Sequence, residues 1–333
     1  MAKKYNFEEI VNKLAINISE NPKTSKRNND RLLEILLKAP YGQKKKLKNQ
    51  LIEQLGCKVT DYEIGGSFET ITQDLLYFND IGCTKINKII DGCPQILELN
   101  RDNTIIPKIK FLEKSGVKKS DLGKVLEKFP KYPKYGIEYM NKRVQFLKIK
   151  GLKKKQIGQA IYNAPQLLKA NLYDMNNRIN ILYDFNIYHQ KIPSTIAGYA
   201  MILLLDENKM RSRANFFLGL GYNKTDIGDM ITKHTAILAY DIEKNLKPTF
   251  KYLTQGFGYS IDEIKENPRL LSNSLKNKVI PRFNYLTKNK LHNRYDHIRI
   301  VRNSDDYFCS KVGIKLEDYQ QFKKENSVDV FFN

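Results

Sequence analysis

The chain has 333 residues, of which 41% are hydrophobic and 11% aromatic, a composition that excludes general disorder and allows a large core. Its 57 Lys and Arg residues exceed its 36 Asp and Glu residues, and the net charge of +21 favours a polyanionic partner, nucleic acid first and an anionic membrane surface second. The sequence has no run of 18 apolar residues and no separate basic amphipathic helix, so we expect no membrane association.

The N-terminal part predicts a short helix and a polar linker over residues 1–28, with the linker in the stretch Asn21 to Asp30. The early Glu8 and Glu9, and the absence of an apolar signal core, argue against an organelle presequence. Residues 29–70 predict one diverged repeat, a pair of helices on either side of Pro40 followed by a loop at Gly65-Gly66-Ser67. Four widely spaced cysteines indicate reduced core thiols rather than disulfides or a zinc site: Cys57, Cys83, Cys93 and Cys309.

A proline returns at a nearly constant interval from here on, always at the same point of a helical pattern. The aligned segments begin at Pro94, Pro130, Pro165, Ala200, Thr235 and Pro268. A fixed period in this range is typical of a helical solenoid, in which each unit buries its apolar face against its neighbours. Solenoids usually bind long partners and seldom catalyse reactions.

Residues 137–171 represent the type unit. A first helix is predicted from Ile137 to Lys150 and ends at Gly151, because glycine accepts the left-handed conformation that follows many helices. Lysines lead into a second helix, which Pro165 stops. Leu167 and Leu168 then predict a short third turn that folds back on the core.

Two glycine columns repeat with the same period. The turn glycine recurs as Gly116, Gly151, Gly221 and Gly256, with Asn186 in the remaining unit. A second glycine recurs inside the second helix, at Gly123, Gly158 and Gly228. Because glycine weakens a helix, the second column indicates close backbone approach between stacked helices. We therefore predict an all-α helical-repeat solenoid of about 35-residue units, each with two helices plus a short third turn, over residues 71–290, and a C-terminal cap over 291–333.

The combined pattern resembles the mitochondrial transcription termination factor (mTERF) family. The best matching segments begin at Ile106-Pro107 and Ile280-Pro281, Pro268-Arg-Leu-Leu271 is close to them, and the tail Asn303-Ser-Asp-Asp-Tyr-Phe308 is similar to a segment that often closes these proteins. The resemblance implies a curved superhelix whose basic groove binds double-stranded DNA or structured RNA. It further implies a role in transcription termination or regulation, ribosomal RNA processing or ribosome assembly, in a mitochondrion or another organelle; a soluble cytosolic protein is the alternative.

One column is basic in five of six units: Lys108, Arg143, Arg178, Arg213 and Arg282, with Thr249 as the exception. Side chains at this spacing project from equivalent points of successive units, and a row of guanidinium groups suits phosphate oxygens. The alternative is that each arginine braces its own repeat by bonding carbonyls at the end of the preceding helix. Both interpretations stay open at this point.

A second basic group follows the turn glycine, near the start of the second helices, where free amides and the helix dipole also favour an anion. Its members are Lys118, Lys119, Lys153, Lys154, Lys155 and Lys224. Taken singly, these lysines fit a solvated face; taken as a repeated row, they predict a second line of phosphate contacts.

Aromatic residues mostly occupy apolar columns and are expected in the core, but Tyr132, Tyr135 and Tyr188 fall near turns and are candidates for stacking on unpaired bases. The four histidines are scattered: His189, His234, His292 and His297. We find no metal-ligand spacing, nucleophilic triad or phosphate-binding loop, so we expect neither a cofactor nor enzymatic activity.

The sequence thus predicts a monomeric, non-enzymatic protein that binds duplex DNA or structured RNA. A partner protein, such as an RNA-modifying enzyme or a ribosome assembly intermediate, is a further candidate for binding. Two alternatives remain open. A single-stranded RNA reader of the pentatricopeptide type has a nearly identical period. A protein-binding scaffold of the tetratricopeptide or HEAT kind would present a groove of mixed or acidic charge, which the net charge of +21 disfavours.

Overall fold

The computed structural model describes residues 6–20, 26–58, 66–291, 300–301 and 303–326. Within these ranges the chain is helical and no strand occurs, which confirms the predicted all-α class. The chain forms two compact units, Met1–Leu172 and Tyr173–Asn333. The domain boundaries that the sequence predicts after residues 28, 70 and 290 stay a prediction.

The first unit contains nine α-helices in its described part. They are α1 Phe7–Glu20, α2 Lys26–Leu36, α3 Tyr41–Gln54, α4 Phe68–Asp80, α5 Ile86–Gly92, α6 Ile106–Lys114, α7 Leu122–Lys128, α8 Ile137–Ile149 and α9 Lys154–Asn163. Helix α2 begins at Lys26, so the second half of the predicted polar linker is helical; residues 21–25 and Gly65 lie outside the described residues.

The second unit continues the same alternation. Its described α-helices are α10 Leu172–Asp184, α11 Ile192–Gly198, α12 Glu207–Gly219, α13 Lys224–Lys233, α14 Lys247–Lys251, α15 Ile261–Glu266, α16 Ile280–Lys288, α17 Asp305–Val312 and α18 Leu316–Glu325. Two π-helical stretches flank α14, with Ile242–Leu246 before it and Tyr252–Gly256 after it. A third, Leu275–Val279, precedes α16.

The predicted third turn is confirmed as a short 3-10 helix after the second helix of each repeat. It spans Pro94–Glu98, Pro165–Lys169, Ala200–Leu204, Thr235–Ala239 and Pro268–Ser272, and after α7 it is displaced to Tyr132–Lys134. The copies at Ala200 and Thr235 form without proline because each still buries an apolar pair, Ile202 with Leu203 and Ile237 with Leu238. Proline therefore favours this turn but is not needed for it.

The turn that ends the first helix is left-handed, as the glycine column predicts. Gly116, Gly151 and Gly221 have φ values of +103°, +90° and +95°, and Asn186 adopts +58°. The amide that follows each turn residue donates back to the helix, for example Leu152 N to the Leu147 carbonyl at 3.1 Å. One prediction is wrong: the π-helical Tyr252–Gly256 delays the turn, so Gly258 and not Gly256 takes the positive φ.

The glycine inside the second helix allows backbone contact with the preceding repeat, as predicted. A Cβ atom on Gly158 would lie 1.8 Å from the carbonyl oxygen of Gly116, and one on Gly228 would lie 2.0 Å from that of Phe185. Both distances are far inside van der Waals contact. The helix therefore meets the turn that ends the first helix of the repeat before it, and this contact fixes the spacing of successive repeats within each unit.

The C-terminal region departs from the repeat, as a cap would. Residues 292–299, which include His292 and His297, and residue 302 lie outside the described residues. Ser304 caps α17 through its side chain, which accepts from the Tyr307 amide, and Phe308 and Tyr319 are fully buried. The Ser-Asp segment that the family resemblance singled out thus begins a helix.

Candidate nucleic-acid interface

Arg143, on the first helix α8, is held by main-chain carbonyls of its own repeat. Its Nε donates to the Ala170 carbonyl at 2.9 Å and its Nη1 to the Tyr139 carbonyl at 2.9 Å. The guanidinium carbon also lies 3.4 Å from the centroid of the Tyr139 ring, and only 7% of the residue is exposed. This side chain therefore ties the first helix to the residue that follows the third turn.

The same brace recurs in the neighbouring repeats. Arg178 Nε donates to the Leu205 carbonyl at 2.8 Å, and Arg213 Nε donates to the Tyr240 carbonyl at 2.6 Å, each 27 residues further along the chain. Arg213 Nη1 also donates to the Lys209 carbonyl at 2.8 Å. The acceptor in each case follows a 3-10 turn of the same repeat, so the expectation of an acceptor on the preceding helix is wrong.

The two end members of the column are also engaged. Lys108 donates to the Pro133 carbonyl, and burial lowers the pKa of its ammonium group. Arg282 is fully buried, donates to three main-chain carbonyls including that of Asn303 at 3.0 Å, and pairs with Asp305 at 2.5 Å. Although burial by itself raises the pKa of the Asp305 carboxyl, hydrogen bonds from Arg282 and Lys323 outweigh it and hold that pKa below its usual range.

The first repeat carries an acid in this column. Asp74 stands one repeat before Lys108, and Arg101 lies two residues after Leu99, the residue that follows the 3-10 turn Pro94–Glu98. Arg101 Nη1 lies 4.0 Å from Asp74 Oδ1, and the Asp74 side chain is fully buried. Burial raises the pKa of Asp74 to about 7, against the opposing effect of Arg101. An acid in this position does not fit a row of phosphate contacts.

The lysines near the second helices present the opposite situation. Lys118 and Lys119 lie at the 3-10 turn Lys119–Asp121 before α7, Lys153 to Lys155 begin α9, and Lys224 begins α13. All are exposed, and Lys119, whose side chain is 82% exposed, approaches Glu113 only at 3.5 Å. Among the described residues, Lys118, Lys153, Lys154 and Lys155 have no ion-pair partner. The structure thus places these lysines near the starts of the second helices, as the sequence predicts.

Two of these lysines share a cleft of about 410 Å³ in the first unit. Lys153 and Lys154 line it together with Lys114 and Lys148, which lie in the last turns of α6 and α8, and with apolar side chains such as Val144. The sequence pattern did not single out Lys114 and Lys148. Both lie in the last turn of a first helix, in successive repeats, but they do not share a column, so the repeat period could not have identified them.

The aromatic candidates separate in the structure. Tyr132 is fully buried and donates to the Lys108 carbonyl, so the expectation that it stacks on bases is wrong. Tyr135 lies beside the ring of Tyr139 with centroids 6.2 Å apart, and Tyr188 is 66% exposed. Tyr188 follows the turn at Asn186 and remains available for contact.

Over the described residues, no three His, Cys, Asp or Glu side chains are grouped as a metal site would require. No helix in the described ranges is both long enough and apolar enough to cross a bilayer.

Comparison with known proteins agrees with the repeat architecture. The family model described as mTERF matches residues 74–135 and 133–309, which together are most of the chain. A relative is the chloroplastic transcription termination factor MTERF2 of Arabidopsis thaliana, 26% identical over 106 residues. That alignment spans 32% of this chain and 16% of the relative's length. The family match over most of the chain, together with its 3-10-terminated helical repeats, shows that this protein belongs to the mTERF family.

Proposed function

We propose that this protein binds double-stranded DNA or structured RNA through the lysine cleft of its first unit and thereby regulates transcription, or ribosomal RNA processing and ribosome assembly, in an organelle. The observation that carries the proposal is the cleft itself, where Lys114, Lys148, Lys153 and Lys154 line one cavity within a chain of net charge +21. The similarity to a chloroplastic transcription termination factor supports a role in an organelle and in transcription.

The chemistry of the cleft suits a phosphate backbone. When exposed ammonium groups neutralise phosphates, the counterions condensed on the nucleic acid are released, and this entropy gain dominates non-specific affinity. The apolar residues of the cleft, among them Phe111 and Leu152, are buried, so the exposed lysines offer the main contacts. We therefore assign these lysines to backbone contact, which sets position and affinity.

We assign the arginine column a different role within the same function. Arg143 and Arg282 are buried and act as braces that keep successive helices in place. Lys108, Arg178 and Arg213 keep part of their side chains exposed and are proposed as secondary phosphate contacts, as are Lys118, Lys119, Lys155 and Lys224. We propose a regulator without catalytic activity of its own.

Fluorescence anisotropy with labelled nucleic acid over a series of salt concentrations tests this function. If six phosphates are neutralised, the logarithm of the association constant should fall with the logarithm of salt concentration with a slope of about −5. A slope near zero would contradict the proposal. The probes are a DNA duplex, an RNA hairpin and a single-stranded RNA of equal length.

The same measurement separates the alternatives. Preference for the single strand would favour a pentatricopeptide-like reader over a duplex binder. Retention of a protein partner after nuclease treatment and high salt, without measurable binding to any nucleic acid, would favour a protein-binding scaffold.

A further inference from the structure

The repeat that contains Thr249 lacks the arginine brace of its neighbours and has a cavity of about 500 Å³ instead. Thr249 occupies the column of Arg143, Arg178 and Arg213, but its side chain ends at its γ atoms. The cavity is lined by Thr249 and by Lys244, Asn245, Pro248, Ser272, Asn273, Ser274, Leu275 and Lys276. It lies wholly in the second unit.

Both acceptor positions of the missing brace line this cavity. In the complete repeats, the arginine Nε donates to the residue that follows the 3-10 turn, which is Ala170 or Tyr240. In the Thr249 repeat the residue after the turn Pro268–Ser272 is Asn273, whose extended backbone (φ −89°, ψ 150°) resembles that of Tyr240 (φ −75°, ψ 148°). Among the described residues, none donates a hydrogen bond to the Asn273 carbonyl.

The second acceptor is equivalent as well. Arg143 and Arg213 use Nη1 to bond the carbonyl four residues earlier in their own helix, Tyr139 and Lys209 respectively. Four residues before Thr249 stands Asn245, which also lines the cavity. The two residues whose carbonyls would accept from an arginine in the complete repeats, Asn245 and Asn273, thus both line the cavity, and no guanidinium group of this repeat occupies it.

We infer that this cavity is a binding site for a guanidinium group, supplied by an exposed arginine side chain of a partner protein. A planar guanidinium group can donate to two carbonyl oxygens at once, as it does within the complete repeats. A phosphate group is the less suitable ligand, because carbonyl oxygens present the negative ends of their dipoles to it. The inference concerns a protein partner and is independent of the proposed nucleic-acid cleft in the first unit.

The charged residues around the cavity predict how guanidinium binding should depend on salt concentration. Lys244 and Lys276 line the cavity and repel a cation, while Glu243 is occupied by Lys247 at 3.0 Å. Added salt screens this repulsion, so guanidinium binding should strengthen, or at least not weaken, between about 50 and about 300 mM NaCl. Binding of a phosphate group should weaken over the same range.

Thermal unfolding of the full chain with small probes tests the site. Thr249→Arg should supply the missing brace and raise the melting temperature by about 2 °C. The effect of methylguanidinium chloride on the melting temperature is measured relative to methylammonium chloride at the same concentration. This effect should be about 1 °C larger for the unsubstituted protein than for Thr249→Arg. The tripeptide Gly-Arg-Gly should reproduce this difference, and Gly-Lys-Gly should not.

An identical response of both proteins to methylguanidinium would overturn the inference, as would stabilisation by inorganic phosphate that Thr249→Arg abolishes. If Thr249→Arg folds poorly, Arg213→Thr provides a second test, because it removes a guanidinium group from an equivalent pair of carbonyls. Methylguanidinium should then restore at least half of the melting temperature that this substitution loses. Failure to restore it would show that the two carbonyls do not hold a free guanidinium group, and the inference would be wrong.

Discussion

Two sets of cationic side chains repeat along this chain with nearly the same period, but the structure uses them differently. The column on the first helices donates to main-chain carbonyls, and Arg143 and Arg282 are buried. The lysines at the start of the second helices, such as Lys153 and Lys154, are exposed. Periodic charge therefore indicates equivalent positions in successive repeats, and it does not by itself indicate a surface.

The two sets of cationic side chains differ in whether an unpaired main-chain carbonyl lies within their reach. A side chain on the first helix faces the residue after the third turn, whose extended backbone leaves its carbonyl oxygen without a helical partner, as at Ala170 and Leu205. A lysine at the start of the second helix faces solvent and main-chain amide groups, which are donors and cannot accept a hydrogen bond from its ammonium group. Asp74 supports a structural role for the column, because an acid at this position does not suit a phosphate contact and its side chain is fully buried.

The largest expected effect is the loss of the buried brace in the second unit. Arg282→Met should lower the free energy of unfolding by about 3–5 kcal/mol, because it leaves three buried main-chain carbonyls without this donor and removes the guanidinium partner of the Asp305 carboxylate. Urea denaturation followed by circular dichroism measures this. The control, Lys155→Met on the exposed row, should stay within about 0.5 kcal/mol of the unsubstituted protein. Equal losses in the two variants would remove the distinction between brace and surface.

The second largest effect concerns the contact that spaces the repeats. Gly158→Ala places a methyl group 1.8 Å from the Gly116 carbonyl oxygen, so the backbone must move, and we expect a loss of about 3 kcal/mol. Gly219→Ala is the matched control, because no atom lies within 4 Å of its added Cβ and alanine favours a helix. The control should be neutral or slightly stabilising. A Gly158→Ala protein with unchanged urea midpoint would show that the repeats are not held by this contact.

The fold could be predicted from the sequence to a large extent, because proline, turn glycine and interior glycine each restrict the backbone at a fixed point of the repeat. The pattern alone identifies Gly116 and Gly158, and the structure explains both. The use of the arginines could not be predicted, since the acceptor at Ala170 lies 27 residues away and depends on tertiary packing. The cleft could not be predicted for the same reason: Lys114 and Lys153 come to line one cleft only because the turn at Gly116, after α6, packs against the start of α9.

The buried Asp74 of the first repeat predicts a pH dependence of smaller size. The pKa of Asp74 is raised to about 7 by burial, so the folded protein holds a proton that the unfolded chain releases near pH 4. This contribution to stability is complete below pH 4 and is lost as the pH rises to about 7. Asp74→Asn, which stays neutral, should be the more stable protein at pH 8 by about 2 kcal/mol and equal to the unsubstituted protein at pH 4.

The pH dependence of stability that His234 contributes has the opposite sign to that of Asp74, so the two contributions have to be separated. Burial lowers the pKa of His234 to about 4, so its contribution is present above pH 6.5 and is lost as the pH falls. The difference between the unsubstituted protein and Asp74→Asn, measured as urea midpoints from pH 4 to pH 8, cancels the histidine contribution. A difference that does not change with pH would show that Asp74 ionises normally in the folded protein.

The smallest expected effect tests the exposed half of the comparison. Lys153→Gln combined with Lys154→Gln should weaken binding to a DNA duplex or RNA hairpin about tenfold and reduce the magnitude of the salt slope by about 2, because two phosphates lose their counterion-releasing partners. The melting temperature should not change, since both side chains are exposed. Lys311→Gln combined with Lys315→Gln removes the same charge from the C-terminal region and serves as the control. If both pairs reduce the slope equally, net charge and not the cleft determines binding, and the cleft loses its special role.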